Sequence, residues 1–420
     1  MPAATAALAT RPSPKPPPRS GADCPSLNAD LRPDFFWEQL DAFTDPIAPQ
    51  RALRFLNSGG SPMALADHLW ADYPNVADEQ IRIADLDGNG SSEVVLALPG
   101  PKTMIIGCKH SAYTVLLDVR IATGVEWASN IRRVSDINGD GLPDVVISTG
   151  TCNGGCTDLQ IISWDGANFR NLINWDNPFL NFDIGDLDAL KDLVVLDLNG
   201  DGVMEVIVTD GAPFGNMAAV NGLYPWRDET WLFEWDGVDF SVAGFEFSPP
   251  RYRFEALIDA DQAALRGEFA KAVQLYRQVI TDDTLDWWSK ERSIHVSSFP
   301  LYGQAPPPAP RKDLDEYPNL VAYSLFHLVV VNAAQGATAD SMAAYEQLIA
   351  QFVPPSPGAV FAGVATTFWE AFESSADVGQ ACNRAVSYAR GYEDAVLKYL
   401  PGVYHGASSP RYVVDDVCPF

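Results

Sequence analysis

Three stretches of this chain repeat one another, and they limit its possible folds more than any other feature. They are Ile83–Gly100, Val134–Thr151 and Val195–Pro213, whose first acids, Asp85, Asp136 and Asp197, stand 51 and 61 residues apart. Short β-branched runs flank each one: Ile81–Ile83 and Val94–Leu98, Ile131–Val134 and Val145–Ser148, Leu193–Leu196 and Val206–Thr209. These runs are strand-length and carry no helical period. A repeat at this spacing means one supersecondary unit used several times, as in propeller blades. A second signal lies further along two of the units, where Ile162–Phe169 recurs as Phe233–Phe240. Asp165-Gly166 and Asp236-Gly237 between aromatic runs predict hairpins, with Trp164 beside Phe169 and Trp235 beside Phe240. The first unit has no such pair, and Thr114–Val119 is its candidate strand. The expected fold is α+β multidomain: β-propeller-like repeats of three to four blades, as a closed ring or an open arc, flanked by α-helical segments.

The repeated loops carry the chemistry. Asp85-x-Asp87-x-Asn89-Gly90-x-x-Glu93 places oxygen-bearing side chains at loop positions 1, 3, 5 and 9. Asp136, Asn138, Asp140 and Asp144 repeat that layout, as do Asp197, Asn199, Asp201 and Glu205. Oxygens at alternate positions of a tight loop converge on one point, and calcium seeks six to eight such hard donors. The glycine at position 6 takes the sharp turn and frees the carbonyl of Ser91, Leu142 or Val203 as a further ligand. Neither thiolate nor imidazole is present in the set, which argues against zinc or copper. An EF-hand would continue into a helix with a bidentate Glu at position 12. Here position 12 is Leu96, Ile147 or Val208, within a strand-like run.

This pattern, an Asp/Asn-rich turn followed by a β-branched strand, resembles the FG-GAP/VCBS repeat of integrin-type propellers. Gly211-Ala212-Pro213 matches the family's pattern after the third unit, whereas Leu98-Pro99-Gly100 and Thr149-Gly150-Thr151 depart from it. The resemblance covers less than half of the chain, with fewer repeats than the family's usual seven blades. It implies calcium in each loop, up to three Ca²⁺, and a structural or ligand-presenting domain outside the cytoplasm. Further on, Gly267 to Tyr276 resembles the turn and second helix of a tetratricopeptide-like hairpin, and Gly336 and Tyr345 repeat its spacing. An ordinary helix–helix core uses the same residues.

Flanking segments read differently. Residues 1–30 form a Pro-rich leader, expected to be disordered and lacking the basic n-region of a signal peptide. Residues 31–75 read as short helices, at Pro33–Asp41, Ala48–Asn57 and Pro62–Ala71. Residues 249–420 read as a helical domain, with helices expected over Tyr252–Arg266, Glu268–Ile280, Asn319–Ala334, Ala339–Phe352, Ala359–Glu373 and Val378–Tyr399. Leu320–Ala334 is too short and too polar to span a membrane and reads as a buried helix. Six cysteines support an oxidising compartment, with Cys152 and Cys156 able to close a small loop and Cys382 and Cys418 able to tie down the C-terminal tail.

With 55 acidic against 28 basic residues, the chain carries a net charge of −27 and repels nucleic acid and anionic membranes. Five scattered histidines, with no nucleophile elbow and no phosphate-binding glycine loop, offer no catalytic constellation. Asp183, Asp186 and Asp188 read as a solvated acidic loop. Tyr224, Trp226 and Arg227, in an insertion after the third motif, are interface-type residues and mark a candidate ligand face. The expected function is a non-catalytic calcium-binding envelope or extracellular protein with a protein or glycan ligand. The alternative is a secreted carbohydrate-active or other hydrolase on the same scaffold.

Overall fold

A computed structural model describes residues 24–28, 30–34, 48–72, 80–98, 102–120, 129–152, 156–176, 178, 190–211, 225–297, 310–402, 404–405 and 409–418. Residues 1–23 of the leader, most of the helix expected at Pro33–Asp41, the Asp183–Asp188 cluster and Tyr224 lie outside them.

Chain contacts divide the molecule into two compact units. The first contains α1 (Ala48–Asn57), α2 (Pro62–Asp72) and three antiparallel sheets. Their strands are β1 (Ile81–Ala84), β2 (Glu93–Leu98), β3 (Lys102–Lys109) and β4 (Ala112–Arg120); β5 (Ser129–Ser135), β6 (Asp144–Cys152), β7 (Cys156–Trp164) and β8 (Phe169–Asn171); and β9 (Leu190–Leu196), β10 (Glu205–Asp210), β11 (Glu229–Trp235) and β12 (Phe240–Phe247). Each sheet is a four-stranded meander in chain order.

The α+β class therefore holds, but the propeller-like ring or arc does not. The three sheets are separate, and none closes on another. The physical reason lies in what a repeat encodes. β-Branched runs and turns specify each meander locally. The angle at which one meander meets the next is set by side-chain packing between sheets, which no single motif carries.

The second strand of each sheet is its most buried. Val94, Val95, Leu96 and Ala97 in β2, and Val145, Val146 and Ile147 in β6, are all excluded from solvent. Leu86 of the first acidic loop and Val95, Ala97 and Ile105 of the first sheet share one apolar cluster with Ile131, Val145, Ile147, Ile162 and Phe169 of the second. Both Asp-Gly hairpins form as expected. Trp164 pairs with Phe169 at a ring separation of 4.9 Å, and the Trp235 and Phe240 rings lie 5.2 Å apart. In the first sheet the corresponding turn is His110-Ser111, both residues at positive φ, with Thr114–Val119 within the strand that follows. A disulfide joins Cys24 to Cys108 of β3, a pairing the spacing of the cysteines did not suggest.

The second unit is helical: α3 (Arg253–Leu265), α4 (Phe269–Thr281), α5 (Lys290–Ser297), α6 (Glu316–Ala334), α7 (Thr338–Gln351), α8 (Ala359–Ser375), α9 (Val378–Arg390) and α10 (Glu393–Leu397). The helix expected over Val378–Tyr399 breaks at Gly391-Tyr392, and α5 had no signal in the sequence. Apolar on all sides, α6 is buried along nearly its whole length. Cys382 and Cys418 form the expected disulfide, which holds the C-terminal segment to α9. Among the described residues, no helix is long and apolar enough to cross a membrane.

Candidate metal centre

Each acidic loop joins the first and second strands of its sheet, so the repeat places all three at equivalent points. The position-9 acid is the first residue of the second strand and pairs with the last residue of the first: Glu93 with Ala84, Asp144 with Ser135, Glu205 with Leu196. That carboxylate also turns back into its loop and accepts the backbone N–H of position 2, from Leu86 at 2.8 Å, Ile137 at 3.0 Å and Leu198 at 2.6 Å. Position 1 accepts the N–H of the position-6 glycine in every loop, from Gly90, Gly141 and Gly202.

The loops differ at position 3, and the difference decides whether the position-9 carboxylate finds a partner within its own loop. In the second, the Asn138 amide nitrogen reaches Asp144 Oδ1 at 3.4 Å; in the third, the Asn199 nitrogen donates to Glu205 Oε1 at 2.8 Å. Their amide oxygens accept from Asp140 and Asp201 N–H, which fixes the amide orientation. Asp136 and Asp197 use both carboxylate oxygens on glycine N–H groups. The first loop has Asp87 at position 3, which offers no N–H to Glu93. Glu93 Oε1 and Asp85 Oδ1 are both buried and without a hydrogen-bond partner. Asp87 itself accepts from the Asn89 backbone and side chain at 3.0 and 2.8 Å, and Ser91 N–H donates to Asn89 Oδ1.

One oxygen from each of Asp85, Asp87 and Glu93 lies within 4.8 Å of the other two, the one such acidic group among the described residues. The expectation of three equivalent centres thus contracts to one gathered triad. Burial, and after it the Asp87 charge, pushes the fully buried Glu93 carboxyl up to about 8, and burial also raises Asp87. Burial raises Asp144 to about 6. Space for Glu93 comes from Gly107 on β3, where a Cβ would lie 3.0 Å from Oε1. Three converging carboxylates with two orphaned oxygens fit a hard, oxygen-seeking cation.

The position-7 residues do a second job. A Cβ on Gly88 would lie 2.9 Å from Leu142 Cδ2, and one on Gly139 would lie 3.0 Å from Val203 Cγ2. The second and third loops thus seat their apolar position-7 side chains on the position-4 glycine of the loop before. Ser91, at the head of the series, has its Oγ 3.4 Å from Cys24 Sγ.

Of the candidate ligand face, Trp226 and Arg227 are described and Tyr224 lies outside the described residues. Arg227 is buried, donates to both carboxylate oxygens of Asp259 at 2.7 and 3.0 Å, and reaches the Ser248 carbonyl at 2.9 Å. It belongs with the helical unit and stacks on Phe247. Trp226 is half-buried beside it in sequence.

A buried polar cluster in the helical unit escaped the sequence reading. Asp261 accepts hydrogen bonds from the hydroxyls of Tyr276 at 2.5 Å, Tyr323 at 3.1 Å and Tyr412, while His327 Nδ1 lies 2.8 Å from the Tyr276 oxygen. Burial raises Asp261 to about 7 against the pull of the three hydroxyls, and burial lowers His327 to about 3. These residues lie 15, 62 and 151 positions from Asp261. No short motif could have announced them. Compared with family models, characterised proteins and solved structures, the chain matches none.

Proposed function

We propose that this chain is a calcium-binding, non-catalytic protein of the cell envelope or extracellular space, which presents its sheet-bearing and helical units to a protein or glycan ligand. The observation that supports the reading best is the pair of buried, unpartnered oxygens, Asp85 Oδ1 and Glu93 Oε1, in the acidic triad. A bound cation would give both a partner and would offset the proximity of three carboxylates. Calcium suits the site through its tolerance of irregular, oxygen-only shells. Asp85, Asp87 and Glu93 would hold it, with the Ser91 carbonyl as a further donor. Its part would be to rigidify the β1–β2 connection, not to perform chemistry. Two disulfides among the described residues, with no membrane-crossing helix there, are compatible with an exported protein.

The test is thermal unfolding in 1 mM CaCl₂, in 1 mM MgCl₂ and in EDTA, with native mass spectrometry to count retained metal. For a Kd near ~10⁻⁴ M, linkage gives about 1.4 kcal/mol for one site. A Ca²⁺-selective rise with one ion retained supports the reading. No shift and no retained metal would reduce the triad to an acidic turn. Ligand capture follows from the same preparation, by screening extracellular proteins and glycans in the presence of calcium.

A further inference from the structure

We infer that a groove in the helical unit binds a small zwitterion, an amino acid or related molecule with an ammonium group, a carboxylate and an apolar body. The groove has a volume of about 260 Å³, and all of its lining residues belong to that unit. Helices α4 and α7 each pack along α6. The groove runs between them, with Leu325 and Leu328 of α6 as its floor.

The decisive residue is Asn332, which lines the groove one helical turn past Leu328 and is only 6 % exposed. Its carbonyl accepts the Ala337 N–H at 2.8 Å, but its side-chain amide meets no hydrogen-bond partner among the described residues. The other buried polar side chains of α6 each have one. Asn319 donates to the Asp315 carbonyl at 2.7 Å and Ser324 to the Leu320 carbonyl at 2.8 Å. Glu316 accepts the Trp288 N–H at 3.2 Å, and His327 Nδ1 lies 2.8 Å from the Tyr276 hydroxyl. A buried amide left without a partner is costly, and the groove is where a ligand's polar group can supply one.

Charge and apolar surface define the rest of the ligand. Arg277 lines the α4 wall and Asp340 the α7 wall, both exposed. They form no ion pair with each other or with any other described residue, so each is open to a ligand group of opposite sign. A carboxylate would meet the planar guanidinium of Arg277, and an ammonium the Asp340 carboxylate. Between the two, Ile280 and Ala344 join the floor leucines in an apolar bed. A ligand of one sign would leave the facing charge unmet. The volume suits a molecule of about nine non-hydrogen atoms and excludes a folded partner. None of these residues belongs to the acidic loops, and the calcium reading plays no part here.

Leucine and ε-aminocaproate are isomers whose two charged groups are adjacent in one and at opposite ends in the other, and they serve as the probes. Each is titrated calorimetrically into the full chain, with caproate as the control that lacks the ammonium. One or both isomers should bind in the low millimolar range, several-fold more tightly than caproate. Leucine alone assigns an α-amino acid, ε-aminocaproate alone an extended one, and both assign the zwitterion itself. Arg277→Gln, at an exposed position, should melt like the parent and bind roughly tenfold more weakly. Asn332→Leu removes the open amide, so it should be at least as stable as the parent and bind several-fold more weakly. Failure of both isomers to bind, caproate binding as tightly as either, or unchanged binding by either variant would overturn the inference.

Discussion

Replacing Asp87 by Asn makes the first loop resemble the other two, and the structure gives both the sign and the size of the result. An amide nitrogen at position 3 would reach Glu93 Oε1 as Asn199 reaches Glu205 Oε1 at 2.8 Å, ending the isolation of a buried oxygen. Leaving a buried acceptor unpaired costs about 1–3 kcal/mol, and the substitution also removes one of three crowded carboxylates. In EDTA, Asp87→Asn is therefore expected to be more stable than the parent by about 1–2 kcal/mol. At 2–4 °C per kcal/mol for a unit of this size, the midpoint rises by roughly 2–8 °C. In calcium the order changes, because the variant has exchanged a carboxylate ligand for an internal hydrogen bond and loses most of the calcium-dependent rise. Chemical and thermal unfolding with and without calcium read both effects. A variant less stable than the parent in EDTA, or one that keeps the full calcium shift, would refute the reasoning. The converse exchange, Asn199→Asp, should destabilise the calcium-free protein by a similar amount and create a calcium response in the third loop.

Other expectations are checked on the same preparations. Asp261 has its folded value raised, so its contribution is present at about pH 4 and is lost as pH rises towards 7; His327 has its folded value depressed, so its contribution is present above about 6.5 and is lost as pH falls towards 3. The two oppose each other between pH 4 and 6.5. Relative to the parent, Asp261→Asn should lose stability on acidification through that window and His327→Gln should gain it, measured by urea unfolding at pH 4.5 and 7. Cys382→Ser with Cys418→Ser opens a loop whose ends are 36 residues apart and should cost the helical unit about 4 kcal/mol, read from its unfolding midpoint. Gly88→Ala and Gly200→Ala both place a Cβ at positive φ, but only the first also meets a neighbour, Leu142. Differential scanning calorimetry should show Gly88→Ala the worse by about 1–2 kcal/mol.

What the sequence disclosed follows the reach of each interaction. The acidic loops, their strand flanks and the two Asp-Gly hairpins depend on neighbours a few residues apart, and they are legible. The His110-Ser111 turn was not, because it takes positive φ without the glycine or asparagine that usually marks it. The difference among the three loops is hidden in the sequence for a subtler reason. Asp and Asn both supply an oxygen to a ligand count, so Asp87, Asn138 and Asn199 look interchangeable. In the fold, the amide N–H separates them. The mutual disposition of the sheets, the Cys24–Cys108 bond and the Asp261 cluster all join distant segments, and local pattern carries none of them.

The seating of Leu142 on Gly88 and of Val203 on Gly139 gives the loop series a direction. Its two ends are chemically unlike. The head presents a serine where the later loops present leucine and valine, and the tail presents Gly200, with nothing among the described residues within 4 Å of where its Cβ would stand. Growth by duplication is therefore asymmetric. A copy of the third unit added downstream would bring its own valine to an open glycine and require no compensating change. A copy added upstream would meet Ser91 and forfeit that contact until the serine became apolar. Lineages of this architecture that differ in repeat number should differ at the downstream end, with the serine-headed unit kept as the first.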